Sequence, residues 1–195
     1  MELTCPTELV DSYLTTRLKR IEDDDLLTYD VVLPGAREAL RQLALSCRLV
    51  LVSQRSRESA LLDQVEALGL ASCFASIKAS YAAGLAGWRA KAAAVSTDPR
   101  FAAGEGLTVG DTEDDVLMGH SLGIGSVAVL SGIRSQTFLC SLRPTAILDS
   151  VAQLPVWLAE TPSPSERPDR SRVAAERGPD RRASHTRRNR WTSPS

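Results

Sequence analysis

The sequence is poor in cysteine and in aromatic residues, and it contains no long apolar run. Aromatic side chains make up 5% of the 195 residues, so the core must be built from Leu, Val, Ile and Ala. No run approaches the ~18–20 apolar residues of a membrane-spanning helix, and acidic residues interrupt the N-terminus where a secretory signal needs apolar ones. The four scattered cysteines exclude a disulfide scaffold and a cysteine zinc cluster: Cys5, Cys47, Cys73 and Cys140. We therefore expect a cytoplasmic protein with no membrane partner.

The net charge of −1 hides an uneven distribution along the chain. Segment 161–195 carries nine Arg against four acidic residues and holds half of the ten prolines. Such a segment cannot bury enough apolar surface to offset the entropy of ordering it, so we predict a disordered Arg/Pro-rich tail. A solvated tail without a specific partner is the favoured interpretation. The alternative is weak contact with nucleic acid or another polyanion through the Arg residues.

Between residues 34 and 160 the hydrophobic pattern alternates between strands and helices. The pattern predicts strands at 49–52, 75–77, 107–109, 126–130 and 145–148, and helices at 36–46, 57–68, 88–95, 114–122 and 151–158. This alternation indicates an α/β fold with a Rossmann-like, mostly parallel sheet and flanking helices. Ligands of such sheets bind beyond the carboxyl ends of the strands. We predict a helix over 8–21 ahead of this core.

An acidic motif follows the predicted strand 107–109. Gly110 leads into Asp111, and three further carboxylates follow at residues 113–115. Carboxylates so close together are tolerable at a helix N-terminus or around a hard cation. Thr112 and Asp115 have the spacing of a capping box, which explains those two residues but not Asp111. The motif alone leaves helix capping and a magnesium site equally open.

Two further residues are candidates for phosphate binding. Ser53 ends a predicted strand just before a helix, where its hydroxyl and the backbone amides after it could hold a phosphate. Lys91 lies early in a predicted helix, where a cation is unfavourable for the helix dipole. Taken singly, Ser53 is more commonly a turn or capping residue, and Lys91 a solvated surface residue. Lys78 is a rival for the role of Lys91.

The order of these motifs resembles the haloacid dehalogenase (HAD) superfamily, whose members are mostly magnesium-dependent phosphatases with a Rossmann-like core. A strand ending in Ser53, then Lys91, then a strand ending in Asp111 and Asp115 reproduces the family's sequence of motifs. The stretch beginning at Pro34-Gly35 is similar to the family's return from cap to core. The resemblance implies three parts: a helical cap remnant or linker over 1–33, a HAD-like α/β core over 34–160 and the tail over 161–195.

The resemblance also implies roles for these residues and a small phosphorylated substrate. Ser53 and Lys91 would bind the phosphoryl group, with Lys91 neutralising its charge. Asp111 and Asp115 would hold Mg²⁺, directly or through water, and Lys91 and Asp111 would be catalytic residues of a phosphomonoester phosphatase.

The sequence departs from the family at the nucleophile. The family carries it in an Asp-x-Asp motif that follows an apolar strand. Here the spacing occurs only in Asp23-Asp24-Asp25, which a polar stretch precedes. The family's first strand is central in the sheet, so without it the strands ending at Ser53 and Asp111 lack a neighbour.

Three explanations of this gap stay open. The chain is incomplete or starts too late, residues 26–33 fill the gap as a strand, or the two flanking strands close up directly. We favour a truncated or degenerate family member. The expected function is a HAD-like hydrolase, impaired in catalysis. The alternative is a pseudoenzyme that binds or scaffolds, and a gap in the sheet favours homo-oligomers.

Overall fold

The computed structural model describes residues 22–82, 84–102 and 104–161. All of them up to Ala159 belong to one compact unit. The predicted helix over 8–21 and the tail beyond residue 161 lie outside the described residues. The described helices are α1 Asp24–Leu27, α2 Ala36–Ala44, α3 Glu58–Ala67, α4 Gly87–Val95, α5 Pro99–Ala102, α6 Glu113–Leu122, α7 Gln136–Ser141 and α8 Leu154–Glu160. The strands are β1 Val50–Ser53, β2 Ser76–Ala79, β3 Leu107–Gly110, β4 Gly125–Val129 and β5 Ala146–Leu148.

All five strands of the described residues pair in parallel, which confirms the predicted α/β architecture, but they form two sheets instead of one. β1 pairs with β2, with Leu51 opposite Ile77. β4 lies between β3 and β5, with Val109 opposite Val127. Among the described residues no backbone ladder joins β1 to β3. This pairing agrees with the expectation that the strands ending at Ser53 and Asp111 lack a neighbour between them. The alternative in which β1 and β3 close up directly was wrong.

Residues 26–33 do not fill the gap. They form the end of α1, a turn at Thr28 and a stretch without regular secondary structure. Tyr29 and Val31 are strongly exposed, at 79% and 81% of their surface. A strand between β1 and β3 would bury such side chains on its two faces. The strand alternative for this segment was therefore wrong.

The helices pack against the sheets through short apolar faces. In α2, Ala36, Ala39 and Leu43 are buried at helical spacing. Gly35 precedes α2 with φ +74° and lies close to Ala152, so this turn requires glycine. Two apolar clusters form the core. One is built on Leu43, Val127 and Leu154, and the other on Val116, Ala128 and Leu139.

Several local features add to the predicted pattern. Helix α7 was not predicted; Ser135 caps it by accepting a hydrogen bond from the Phe138 amide. Ser56 precedes α3 without capping it, because Arg57 holds the N-cap position. Pro99 begins the short helix α5, and Pro155 is accommodated because it lies in the first turn of α8.

Three of the four cysteines lie within the described residues. Cys47, Cys73 and Cys140 are free thiols. No helix within the described residues is long and apolar enough to cross a membrane.

Candidate functional site

The segment Asp111–Asp115, called the acidic loop below, consists of the turn after β3 and the first turn of α6. Thr112 is the N-cap of α6 and forms a capping box with Asp115. Asp115 Oδ2 accepts hydrogen bonds from the Thr112 hydroxyl at 2.8 Å and from the Thr112 amide at 3.2 Å. At Gly110 a Cβ atom would lie 2.0 Å from the Asp115 carboxyl carbon, so glycine leaves the room that this carboxylate occupies. The capping interpretation of Thr112 and Asp115 is confirmed.

Lys91 reaches the same carboxylate from α4. Its Nζ lies 2.6 Å from Asp115 Oδ1, and the two side chains are only 12% and 13% exposed. Solvent is therefore largely excluded from the pair. An ion pair in such a site is stronger than one at the surface. The rival Lys78 lies on β2 opposite Val52 and lines a shallow cleft with Arg48 and Asp98. Of the two lysines, Lys91 is the one at the acidic loop.

Asp114 connects three elements. Its Oδ2 accepts a hydrogen bond from Gln54 Nε2 at 2.8 Å, and its Oδ1 accepts one from the Trp88 amide at 3.0 Å. Gln54 directly follows Ser53 at the end of β1, and Trp88 lies in the first turn of α4. The carboxyl ends of β1 and β3 and the start of α4 therefore lie at one rim.

The outer side of the loop is held by the connection between β4 and α7. Asp111 Oδ2 accepts a hydrogen bond from the Ile133 amide at 3.1 Å, and Gly132 packs directly on this carboxylate. Glu113 accepts two hydrogen bonds from the Arg134 guanidinium, at 2.5 and 2.6 Å. These hydrogen bonds hold the pKa of Glu113 below its ordinary value, because they outweigh the effect of burial, which raises this pKa.

Ser53 contributes a backbone carbonyl that fixes its place in the rim. This oxygen accepts hydrogen bonds from the Ser80 amide at 2.8 Å and the Ser80 hydroxyl at 3.0 Å. Gln54, the residue after Ser53, contacts Asp114, so Ser53 lies one residue from a contact with the acidic loop. Its assigned role in binding phosphate stays a prediction.

A carboxylate that the sequence did not single out lies just beyond Ser53. Glu22 accepts hydrogen bonds from the Ser56 amide at 2.5 Å and from the Ser56 hydroxyl at 2.7 Å. Burial raises the pKa of Glu22, but the Ser56 hydrogen bonds and the Arg55 charge outweigh it and hold this pKa below the ordinary value. The contact spans 34 residues of sequence, which explains why no local pattern indicated it.

The structure thus brings Lys91 together with Asp115 and places the residue after Ser53 against Asp114. Besides Glu22, three contributors were missed: Gln54, Gly87 and Arg134. Gln54 had a weak signal, since it extends the strand-end motif at Ser53 by one residue. Gly87 and Arg134 had none, because their partners are distant in sequence.

The acidic loop does not fit a magnesium ion by itself. Both oxygens of Asp115 accept hydrogen bonds from Lys91 and Thr112, and one oxygen of Asp111 accepts from Ile133. Mg²⁺ requires several oxygen ligands in near-octahedral geometry. Across 22–82, 84–102 and 104–161, no group of three or more His, Cys, Asp or Glu side chains is arranged to hold a metal ion. The predicted metal role of Asp111 and Asp115 therefore lacks a supporting donor set in the part of the chain that is described.

Comparison with known proteins found a matching family model and several solved structures of similar fold. Residues 82–154 match the family model described as HAD-hydrolase-like, a range that contains Lys91 and the acidic loop but not Ser53. No curated protein matches the sequence.

Three solved structures share the fold. A haloacid dehalogenase-like hydrolase family protein from Streptococcus pneumoniae aligns with a TM-score of 0.58 and 21% identity over 66% of this chain and 60% of its own. A predicted phosphatase from Clostridium acetobutylicum gives 0.59 and 22% over 67% and 61%, respectively. A predicted phosphoglycolate phosphatase from Haemophilus somnus gives 0.55 and 20% over 64% and 56%. The chain spans about three fifths of the length of these proteins, and the likeness shows a common fold.

Proposed function

We propose that this chain, which has the fold of the haloacid dehalogenase-like hydrolases, is the phosphate-binding part of a phosphomonoester hydrolase. The observation that carries the proposal is the meeting of β1, α4 and the acidic loop at one rim. Gln54 contacts Asp114 at 2.8 Å, and Lys91 contacts Asp115 at 2.6 Å. Ser53 and Asp111 each adjoin these contacts. Ligands of parallel α/β sheets bind at this end of the strands.

Each proposed role follows from the chemistry of the side chain. The Ser53 hydroxyl donates a hydrogen bond to a phosphate oxygen. Lys91, partly buried beside Asp115, supplies a cation where the local dielectric is low and charge attraction is strong. Asp111 lies at the tip of β3, held by the Ile133 amide. The substrate class is a small phosphorylated molecule. The family resemblance supports Mg²⁺ as its cofactor, but the acidic loop does not fit this ion, so the proposal assigns no step to a metal.

Catalysis by this chain is proposed to be impaired. Phosphatases of this kind form a covalent phosphoaspartate, so they need a carboxylate aimed at phosphorus. The sequence offers an Asp-x-Asp spacing only at residues 23–25. Asp23 is exposed at the N-cap position of α1, and the sequence that leads to it is polar. We infer that the chain binds a phosphate group without turning it over.

A pseudoenzyme that acts as a binding or scaffolding protein is the second candidate. One observation favours it: each of the four carboxylates in the loop accepts hydrogen bonds from protein donors. A cytoplasmic location, homo-oligomers and weak contact of the Arg-rich tail with polyanions belong to the same proposal. The two sheets support association, since parallel strands with an open edge can pair with another chain.

The test combines turnover with phosphate binding. We expect no hydrolysis of p-nitrophenyl phosphate with Mg²⁺ present, and measurable binding of orthophosphate by titration calorimetry. Lys91→Met should weaken this binding about tenfold, the equivalent of ~1.4 kcal/mol, because it removes the partly buried cation. Ser53→Ala should weaken it less, and the matched control Lys78→Met should leave it unchanged.

Two results would contradict the proposal. Turnover that Asp111→Asn abolishes would show an active phosphatase. Absence of orthophosphate binding, or equal loss in the Lys91 and Lys78 variants, would remove the phosphate site and leave the scaffolding function. Millimolar Mg²⁺ should leave the melting temperature unchanged, since the loop's carboxylates already have donors; a clear rise would restore the metal site.

A further inference from the structure

The start of α4 lacks a cap from its own sequence. Ala86 holds the N-cap position and has no side chain that could accept a hydrogen bond from the first amides of the helix. The Trp88 amide is instead satisfied by Asp114 Oδ1, 26 residues further along the chain. A carboxylate at this end is also favoured by the helix dipole. Asp114 is therefore the remote cap of α4.

Glycine at position 87 is explained by this contact. A Cβ atom there would lie 1.6 Å from Gln54 Nε2 and 2.2 Å from Asp114 Oδ2. Gly87 is helical and is not among the residues of positive φ, so its backbone does not require glycine. The side chain is absent because Gln54 and Asp114 meet in the space that it would fill.

The two adjacent carboxylates grip the same face of α4. Trp88 and Lys91 are three residues apart, which makes them neighbours on a helix surface. Asp114 accepts from the Trp88 amide, and Asp115 accepts from Lys91 Nζ one turn later. Moving the first turn of α4 away from Asp114 would therefore also move Lys91 away from Asp115.

We propose that Asp114 is a positioning residue that fixes α4 against the ends of β1 and β3 and thereby places Lys91 at the rim. Gln54 is the partner that ties Asp114 to β1. The importance of Lys91 for phosphate rests on the proposed function, whereas its placement by Asp114 does not. The role needs an acceptor at position 114 and not a negative charge.

This distinction sets the choice of variants. Asn at position 114 can accept from the Trp88 amide through its oxygen and donate through its nitrogen to the Gln54 oxygen after that amide rotates. Asp114→Asn should therefore preserve the junction, whereas Asp114→Ala should break it. The matched control is Glu113→Ala, which removes the neighbouring carboxylate and its contact with Arg134 only.

Amine labelling reports how accessible the Lys91 amine is to a reagent, and therefore whether it stays in contact with Asp115. The chain has three lysines, Lys19, Lys78 and Lys91. Mass spectrometry after limited acetylation of the full chain reports each one separately. Lys91 should be modified slowly in the wild type, several-fold faster in Asp114→Ala, and at the wild-type rate in Asp114→Asn and Glu113→Ala. Lys78 is the internal reference, since it lies away from the junction.

Three outcomes would overturn the proposal: an unchanged Lys91 rate in Asp114→Ala, an Asp114→Asn variant that behaves like Asp114→Ala, or an equal rise at Lys78, which would indicate general unfolding. If Asp114→Ala does not fold, Gly87→Ala replaces it, because the added Cβ displaces Asp114 from the start of α4, and a rise at Lys91 alone is again expected. Orthophosphate binding is measured on the same samples. Its absence from every variant, with the labelling pattern as expected, would refute the proposed function and leave the positioning role standing.

Discussion

The structure allows the effect of removing the Lys91–Asp115 pair on the free energy of unfolding to be estimated directly. Asp115 accepts hydrogen bonds from Lys91 Nζ, the Thr112 hydroxyl and the Thr112 amide, and both charged side chains are nearly 90% buried. Lys91→Met leaves the Asp115 charge with two neutral donors. A hydrogen bond to a charged group contributes ~1.5–3 kcal/mol to stability, so this variant should lower the free energy of unfolding by about 2 kcal/mol.

A double-mutant cycle separates the pair from its surroundings. Lys91→Met, Asp115→Asn and the double variant are unfolded in urea at neutral pH, and the coupling energy is expected at about 1–2 kcal/mol. Asp115→Asn should cost more than the pair alone, because it also weakens the capping box at Thr112. Lys78→Met is the matched control and should stay within about 0.5 kcal/mol of wild type.

The reasoning has two points at which it can fail. A coupling energy near zero would mean that the pair behaves like an exposed ion pair despite its burial. A coupling that disappears in molar salt would lead to the same conclusion, because salt screens exposed pairs far more than buried ones.

Two further predictions follow from the same rim. Gly87→Ala should destabilise the chain by about 1 kcal/mol in urea unfolding, because separating Gln54 from Asp114 outweighs the helix propensity gained from alanine; an unchanged stability would show that these side chains separate without cost. The free energy of unfolding should also fall as the pH drops below about 4.5. Arg134 holds the pKa of Glu113 below this ordinary value, so the contribution of this carboxylate to stability is lost only as it protonates. Glu113→Gln should flatten this part of the acid unfolding curve, and an identical curve would contradict the assignment.

The periodic parts of the fold could be predicted from the sequence. Short apolar runs bounded by glycine and polar residues located all five described strands to within one or two residues. The Thr112–Asp115 cap was also predictable, because both partners lie within one helical turn. These features depend on neighbours in sequence, so a local pattern is enough to find them.

The contacts that shape the rim were not predictable, because their partners are distant in sequence. Asp114 meets Gln54 across 60 residues, and Ser56 meets Glu22 across 34. Ser56 has the chemistry of a helix cap, yet the Glu22 carboxylate takes both its amide and its hydroxyl. A tertiary partner thus replaced the local role that the residue type favours.

The division of the strands into two sheets makes the rim important for the structure. Leu49 and Ser53 direct their carbonyls toward the β2 side, so the backbone groups of Val50 and Val52 point to the opposite edge of β1. Within the described residues no ladder continues from that edge to β3. At the strand ends, the Gln54 side chain links β1 to Asp114, and beside this contact Lys91 of α4 meets Asp115. A variant that removes these contacts should therefore lose stability and the placement of Lys91 together, whereas loss of the Glu113–Arg134 pair should reduce stability while leaving Lys91 in place.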